Sequence, residues 1–134
     1  MTTPTPAEQL AEGGADVRWL SDQFDLIGEL RKANQDQPGQ AWTFVLDSTD
    51  RRAPTLTVGL NGTMGFITWW DGRLRMHPQA TQTTGEMVDY WRGGHHFQID
   101  AGTEVPAEYV FAAVAEFVAT HVRPHCIQWP TQAA

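Results

Sequence analysis

The chain has few of the features that brace small folds or anchor proteins in membranes. Its 134 residues include a single cysteine, Cys126, so no disulfide can form within it, which agrees with a reducing compartment. No apolar run approaches the ~20 residues that a membrane-spanning helix needs. The first fourteen residues also lack the basic and apolar regions of a secretory signal. We therefore expect a cytoplasmic protein with no membrane partner.

Positive charge is scarce as well. The formal net charge is -7 at pH 7, and the first fifty residues hold nine acidic residues against three basic ones. A nucleic-acid ligand is therefore not expected, because binding to the phosphate backbone requires clustered positive charge. A basic protein partner fits the sign of the charge better, although acidic residues also simply keep proteins soluble.

Recognisable catalytic and metal-binding motifs are missing too. The sequence contains no Walker loop and no GxGxxG, GxSxG or HExxH motif. His121, His125 and Cys126 lie close in sequence, but Pro124 breaks the helix that would bring the two histidines to one face. Cys126 directly follows His125, so their side chains would project apart rather than act as nucleophile and base. We expect no catalytic residue, no bound metal and no cofactor.

Two amphipathic helices are predicted near the ends of the chain. Asp16 can cap the first, which would run to Lys32. Pro106 can begin the second, and Pro124 prevents its extension beyond about Val122. The apolar positions of the first helix are Val17, Leu20, Phe24, Ile27 and Leu30. Those of the second are Val110, Phe111, Val114, Phe117 and Val118.

Residues 54–76 have the pattern of a three-stranded antiparallel meander. Asn61-Gly62 and Asp71-Gly72 are the dipeptides that tolerate the positive φ of a tight hairpin turn. Alternation along these strands then separates an apolar face from a mixed polar and aromatic face. The apolar face holds Leu56, Val58, Leu60, Ile67, Trp69, Leu74 and Met76. The mixed face holds Thr55, Thr57, Met64, Phe66, Thr68, Trp70, Arg73 and Arg75.

A second hairpin is predicted around Gly93-Gly94, from Met87 to Ile99. Its apolar face holds Val88, Tyr90, Phe97 and Ile99. Its polar face holds Asp89, Trp91, His96 and Gln98. A strand from Ala41 to Asp47 and a short closing strand from Cys126 to Trp129 complete the sheet.

These elements predict an α+β fold: a mostly antiparallel twisted sheet of about six strands with an N-terminal and a C-terminal amphipathic helix. We expect residues 1–14 to form a flexible arm, residues 15–130 a single domain and residues 131–134 a tail. The expected core between the sheet and the C-terminal helix consists of Leu56, Val58, Ile67, Trp69, Tyr90, Phe97, Phe111, Val114, Phe117 and Trp129.

If the polar faces of the two hairpins share one side of the sheet, they form a candidate partner-binding surface. Tryptophan and arginine supply much of the energy of protein–protein interfaces, and this surface is rich in both. Its predicted contact residues are Trp70, Asp71, Arg73, Arg75, Asp89, Trp91 and His96. Alternatively, the helix from Asp16 to Lys32 covers this side of the sheet and buries Trp70.

Several motifs between residues 41 and 130 resemble a known family. They are Pro54-x-Leu56-x-Val58-Gly59, Gly65-x-Ile67-x-Trp69, Tyr90, Val105-Pro106 and Phe117-Val118-x-Thr120-x-x-Arg123-Pro124-x-x-Ile127-x-Trp129. The succession is similar to the first-numbered immunity-protein family of bacterial polymorphic toxin systems. The resemblance implies a non-enzymatic cytoplasmic antidote that binds a cognate toxin domain, often a nucleic-acid deaminase or nuclease, and occludes its active site.

Another class of function is compatible with the same composition: a small-molecule-binding or regulatory α+β domain without a toxin partner. Such a domain would need a concave apolar pocket with converging titratable groups, and the sequence shows no such cluster. For either class we expect a monomer.

Overall fold

The computed structural model describes residues 5–21 and 23–130. Its helices are α1 (Pro6–Ala11), α2 (Leu26–Asp36) and α3 (Ala107–Thr120). Its strands are β1 (Gly14–Asp16), β2 (Gln40–Val45), β3 (Thr55–Asn61), β4 (Met64–Trp70), β5 (Arg75–Met76), β6 (Met87–Arg92), β7 (His95–Asp100) and β8 (Val105–Pro106). Within these ranges no helix is both long enough and apolar enough to cross a membrane.

The strands form one curled sheet in the order β5-β4-β3-β2-β6-β7. β1 pairs with β2 in parallel, and β8 pairs with β4 in antiparallel orientation. In the described part of the chain, β2 and β6 are joined by one parallel bridge, between Gln40 and Trp91. The predicted α+β class with a mostly antiparallel sheet is confirmed.

One side of the sheet, the closed side, packs against α3. Leu56, Val58 and Ile67 are fully buried there with Phe117, whose ring lies edge-on to Trp69 at 5.5 Å between centroids. Each apolar strand residue faces the helix because alternate side chains leave a strand on opposite sides. The predicted core is confirmed for these residues, and Trp129 packs against it while only partly buried.

The β3–β4 register differs from the prediction by two positions. Asn61 lies opposite Met64, so the turn is Gly62 and Thr63 rather than Asn61 and Gly62. A shift of two residues keeps every side chain on its face, because the side-chain period of a strand is two. The predicted faces are therefore correct, although the predicted turn is wrong.

The β4–β5 connection is also longer than predicted. Trp70 lies opposite Arg75, not opposite Arg73, because the turn includes Asp71 to Leu74. The Asp71 carboxylate accepts the backbone N–H of Arg73 and of Leu74, each at 2.7 Å, which fixes this wider turn. The placement of Leu74 in the core is wrong, since that side chain is 54% exposed.

The N-terminal helix begins nine residues later than predicted. α2 starts at Leu26, where the Asp25 carboxylate accepts the N–H of Gly28 at 2.9 Å. Leu26 and Leu30 are buried in the same cluster as α3, and Arg31 reaches Glu108 at 3.1 Å. α2 therefore lies on the closed side, and the alternative in which it covers the mixed face is wrong.

Asp16 has a different role from the predicted helix cap. It caps a single 3-10 turn, Val17–Trp19, and its buried carboxylate receives the Arg18 guanidinium at 2.7 Å and the Ser48 N–H at 2.9 Å. Burial alone would raise the pKa of Asp16, but these hydrogen bonds outweigh it and lower the pKa to about 2. The pair fixes the segment before α2 to the loop after β2.

The C-terminal strand is absent. Residues 126–129 adopt irregular structure, and a lone backbone hydrogen bond of 2.7 Å joins Gln79 to Gln128. Ile127 is buried, and the Trp129 indole N–H donates to the Pro124 carbonyl at 2.8 Å. The apolar residues that suggested a strand instead fold back beneath the end of α3.

A second, smaller cluster lies on the opposite side of the sheet. Tyr90 packs edge-on against Phe66 at 4.9 Å between centroids and stacks with Phe97 at 6.1 Å. The predicted position of Tyr90 and Phe97 between the sheet and α3 is therefore wrong. The sheet curls, so the apolar face of the β6–β7 hairpin closes over the mixed face of β3 and β4.

Candidate protein-binding surfaces

The outward-facing side of β6 and β7 carries a connected polar and aromatic group, which we call the hairpin surface: Asp89, Trp91, His96 and Gln98. Asp89 Oδ1 lies 2.8 Å from His96 Nε2 and 2.8 Å from Gln98 Nε2. The hydrogen bond from Gln98, and after it the one from His96, lower the pKa of Asp89. Trp91 lies 5.2 Å from the His96 ring and is 39% exposed. The group is a hydrogen-bonded surface that combines an aromatic ring with a carboxylate.

Trp91 is held from below by the start of β2. Its backbone N–H donates to the Gly39 carbonyl at 2.8 Å. Gly39 has a φ of +95°, and its Cα faces the Trp91 ring so closely that an added Cβ would lie 3.4 Å from it. The indole is thereby positioned by the fold while much of its surface stays in solvent.

A cleft of about 430 Å³ lies on the other side of the sheet, between β4–β5 and β7. Phe66, Thr68, Arg75 and His77 line one wall. The facing wall includes Arg92, His95 and Phe97. The cleft forms because the curl brings the last strand of the sheet back toward β5.

Polar contacts order the cleft. Arg92 Nη1 donates to Thr43 Oγ1 at 2.7 Å, and the Thr43 and Thr57 hydroxyls are 3.0 Å apart. His77 lies 3.5 Å from the Thr68 hydroxyl. Partial burial, and then the positive charge of Arg75, lower the pKa of His77. The lowered pKa keeps His77 mainly neutral at pH 7, whereas Arg75 and Arg92 give the cleft permanent positive charge.

Gly59 allows the aromatic floor of the cleft to form. A Cβ on Gly59 would come within 2.2 Å of Phe66 and 2.7 Å of Tyr90, so both rings cross the strand where glycine leaves room. The Tyr90 hydroxyl donates to Glu104 at 2.7 Å. Burial first, and then this carboxylate, raise the pKa of Tyr90, which stays a neutral donor.

The predicted contact residues do not share one face. Gln40 belongs to the closed side and bridges to Trp91, whereas Trp70 belongs to the mixed side of β4. The single-surface prediction is therefore wrong, because it assumed that both apolar hairpin faces pack against α3. The structure groups Asp89, Trp91 and His96 on the hairpin surface, Trp70 and Arg75 on the cleft side, and Asp71 and Arg73 in the β4–β5 turn.

Sequence reasoning missed the cleft and its second arginine, Arg92. One signal was available: Phe66 is a large aromatic residue on a face otherwise rich in threonine. The structure places it opposite Gly59, a pairing that the predicted register, two positions off, did not give. An aromatic ring beside a strand glycine indicates that another element packs over that position. Nothing in the local pattern identified the β6–β7 hairpin as that element.

His121, His125 and Cys126 lie at the end of α3 and just beyond it. The backbone N–H groups of His125 and Cys126 both donate to the Glu116 carboxylate. Burial, followed by the bond to Glu116, raises the pKa of Cys126, which is the wrong direction for a nucleophilic thiol. Across residues 5–21 and 23–130, no group of three histidine, cysteine or acidic side chains is placed to hold a metal.

The described geometry can be set beside known proteins. No curated protein sequence matches the chain. The family model described as Immunity protein Imm1 matches residues 15–131, a range that includes the hairpin surface, the cleft and α3. The match covers far more than half of the chain, and the chain therefore belongs to the Imm1 family of immunity proteins, which act against toxins.

Proposed function

We propose that this protein neutralises a cognate bacterial toxin domain that acts on nucleic acid, a deaminase or nuclease, by binding over its active site. Membership of the Imm1 family supports the toxin partner. The hairpin surface is the observation that carries the proposal, because it presents an exposed, backbone-anchored tryptophan beside a carboxylate.

The surroundings of the hairpin surface are acidic. A groove of about 350 Å³ between α1, α2 and the β6–β7 turn is lined by Glu29 and Asp36, and it reaches Gly93 in that turn. Exposed Glu12 adjoins the same turn, since its carbonyl lies beside Gly93. Trp91 and Asp89 therefore stand at the border of a negatively charged region.

This arrangement suits a toxin that handles nucleic acid. Such enzymes carry basic clefts for their substrate, and an acidic inhibitor is attracted to the same cleft and excludes the substrate. Trp91 would become buried in the toxin on binding and act as an anchor, and the surrounding carboxylates would speed association. The protein would act without catalysis, as a monomer that binds one toxin domain.

The anchor role of Trp91 can be tested with a matched pair of tryptophan variants. The cognate toxin is sought first in the product of the neighbouring gene. Trp91→Ala should weaken toxin binding by about 2 kcal/mol or more, because interface tryptophans bury large areas at low entropic cost. Trp19→Ala is the control, since Trp19 is 48% exposed on the 3-10 turn, away from the hairpin surface. Isothermal titration gives both affinities, and circular dichroism verifies folding.

An equal loss of affinity in both variants, or wild-type affinity in both, would contradict the anchor role of Trp91.

Occlusion of the active site has a separate test. The toxin domain should lose binding of its nucleic-acid substrate when this protein is present at equimolar concentration. A ternary complex that holds substrate yet lacks activity would show that inhibition does not work by occlusion.

A further inference from the structure

The cleft has the opposite sign of charge from the protein as a whole. The chain carries a formal net charge of -7, yet Arg75 and Arg92 line the cleft. Among the described residues that line it, none carries a carboxylate, and neither arginine forms an ion pair within the described chain. Positive charge concentrated in one concave place of an acidic protein selects an anionic group.

One wall of the cleft is an open strand edge. β7 ends the sheet, and in the described residues it pairs with β6 alone. The Ala101 N–H donates to the Glu86 carbonyl at 2.7 Å, so this pair of residues is a hydrogen-bonded pair of the β6–β7 ladder. In an antiparallel ladder, hydrogen-bonded and non-hydrogen-bonded pairs alternate along the strands. By alternation, the backbone groups of His96 and Gln98 point away from β6. Trp91 lies opposite His96 on β6, and its N–H points away from β7 and donates to the Gly39 carbonyl. This confirms that Trp91 and His96 form a pair whose backbones are not hydrogen-bonded to each other.

The other wall offers no comparable edge. β5 pairs with one end of β4 and β8 pairs with the other. Between them, His77 hydrogen-bonds to the backbone of Ile67 and lies beside the Thr68 hydroxyl. A segment that entered the cleft would therefore find free backbone partners on β7 and side-chain cations on both walls.

We propose that the cleft receives an extended acidic segment of the partner toxin, which adds to the β7 edge as a strand and places a carboxylate against Arg75 and Arg92. Strand addition at an open edge supplies backbone hydrogen bonds, and flanking side chains supply specificity. The identity of the partner rests on the proposed function. This contact meets the hairpin surface along β7, because the backbone of His96 and Gln98 lines the cleft while their side chains belong to the hairpin surface.

The same features disfavour a second copy of this chain as the occupant. Two copies joined at their β7 edges would turn toward each other two clefts that each carry Arg75 and Arg92 and, among the described lining residues, no carboxylate, which juxtaposes like charges. An acidic segment removes that repulsion. The protein would then recognise its partner with two signs of charge, acidic around Trp91 and basic in the cleft, which excludes partners of uniform charge.

The experiment compares charge-matched double variants in complex with the toxin domain encoded by the neighbouring gene. Arg75→Gln with Arg92→Gln should weaken binding at least 10-fold and reduce its salt dependence. Arg51→Gln with Arg52→Gln removes the same charge from the exposed loop between β2 and β3 and should bind as wild type. Amide hydrogen exchange at His96 and Gln98 should slow at least 10-fold when the toxin is bound.

Three results would overturn the inference and leave the proposed function standing. Wild-type affinity of the cleft variant, or unprotected amides at His96 and Gln98 in the complex, means that the toxin does not occupy the cleft, while the proposed function stands. If the NMR signals of Arg75 and Arg92 shift on addition of inorganic phosphate while the β7 amides stay unprotected in the complex, the cleft binds a small anion and not a peptide strand. Concentration-dependent dimerisation that protects β7 in the free protein indicates a second copy. Failure of the wild-type protein to bind the toxin at all refutes the proposed function instead.

Discussion

The two sides of the curled sheet differ in what they contribute. The closed side is continuous and apolar, with Leu56, Val58 and Phe117 fully buried beneath α3. The cleft side has a small aromatic cluster at one end and leaves Arg75 in solvent at the other. The area buried on the closed side stabilises the fold, so the cleft side can carry polar groups at modest cost in stability.

The largest effect should come from the closed side. Phe117→Ala removes a fully buried ring that contacts Trp69, and it should reduce the free energy of unfolding by about 3–5 kcal/mol because a cavity remains. Urea denaturation measures the loss. Tyr109→Ala on the same helix is the control, since Tyr109 is 54% exposed, and it should change stability little. Similar stability of the two variants would show that the buried ring of Phe117 does not stabilise the closed side.

A smaller effect is expected on the cleft side at Gly59. Gly59→Ala places a methyl group against the rings of Phe66 and Tyr90 and should cost about 1–3 kcal/mol through overpacking. Combining it with Phe66→Leu, which removes the overlapping ring edge, should recover part of that loss relative to the two single variants. Strict additivity in thermal unfolding would argue that the aromatic cluster does not close over Gly59.

The smallest effect concerns the end of α3. His121 adopts a φ of +60° at the C-cap, a left-handed conformation that glycine takes without steric cost. His121→Gly should therefore stabilise the protein by about 0.5–1 kcal/mol, since relief of strain exceeds the added entropy of the unfolded chain. Calorimetry should show a higher midpoint. A lower one would mean that the imidazole makes a stabilising contact at this helix end.

Local patterns predicted what depends on local geometry. The β6–β7 register came out as predicted, with Arg92 opposite His95, because two glycines at positive φ define a two-residue turn. The β3–β4 faces survived a wrong turn because the error was two residues. The start of α2 was missed because Asp16 and Asp25 are equally good capping residues. The carboxylate of Asp16 is engaged instead by its near neighbour Arg18 and by the distant Ser48 N–H, and the Ser48 contact cannot be read from local sequence.

Long-range packing could not be predicted in the same way. The alternation in β6 and β7 separates Tyr90 from Trp91, but it does not say which side of the meander receives Tyr90. That choice depends on the bridge from Gln40 to Trp91 and on the space above Gly59. As a result, the sequence grouped Asp89, Trp91 and His96 correctly with one another and wrongly with Trp70.

The lone bridge between β2 and β6 also bears on how new specificities can arise. Within the described chain, the β6–β7 hairpin is attached to the rest of the sheet by that bridge, by the aromatic cluster around Tyr90 and by the close approach of its turn to Gly13. Hydrogen bonds from Trp91 to Gly39 and from Arg92 to Thr43 add to this attachment. The outward side chains of the hairpin make no contribution to the main core. Substitutions at the outer residues of the hairpin should therefore leave the core beneath α3 intact, and under the proposed function they could change which toxin is bound without loss of the fold.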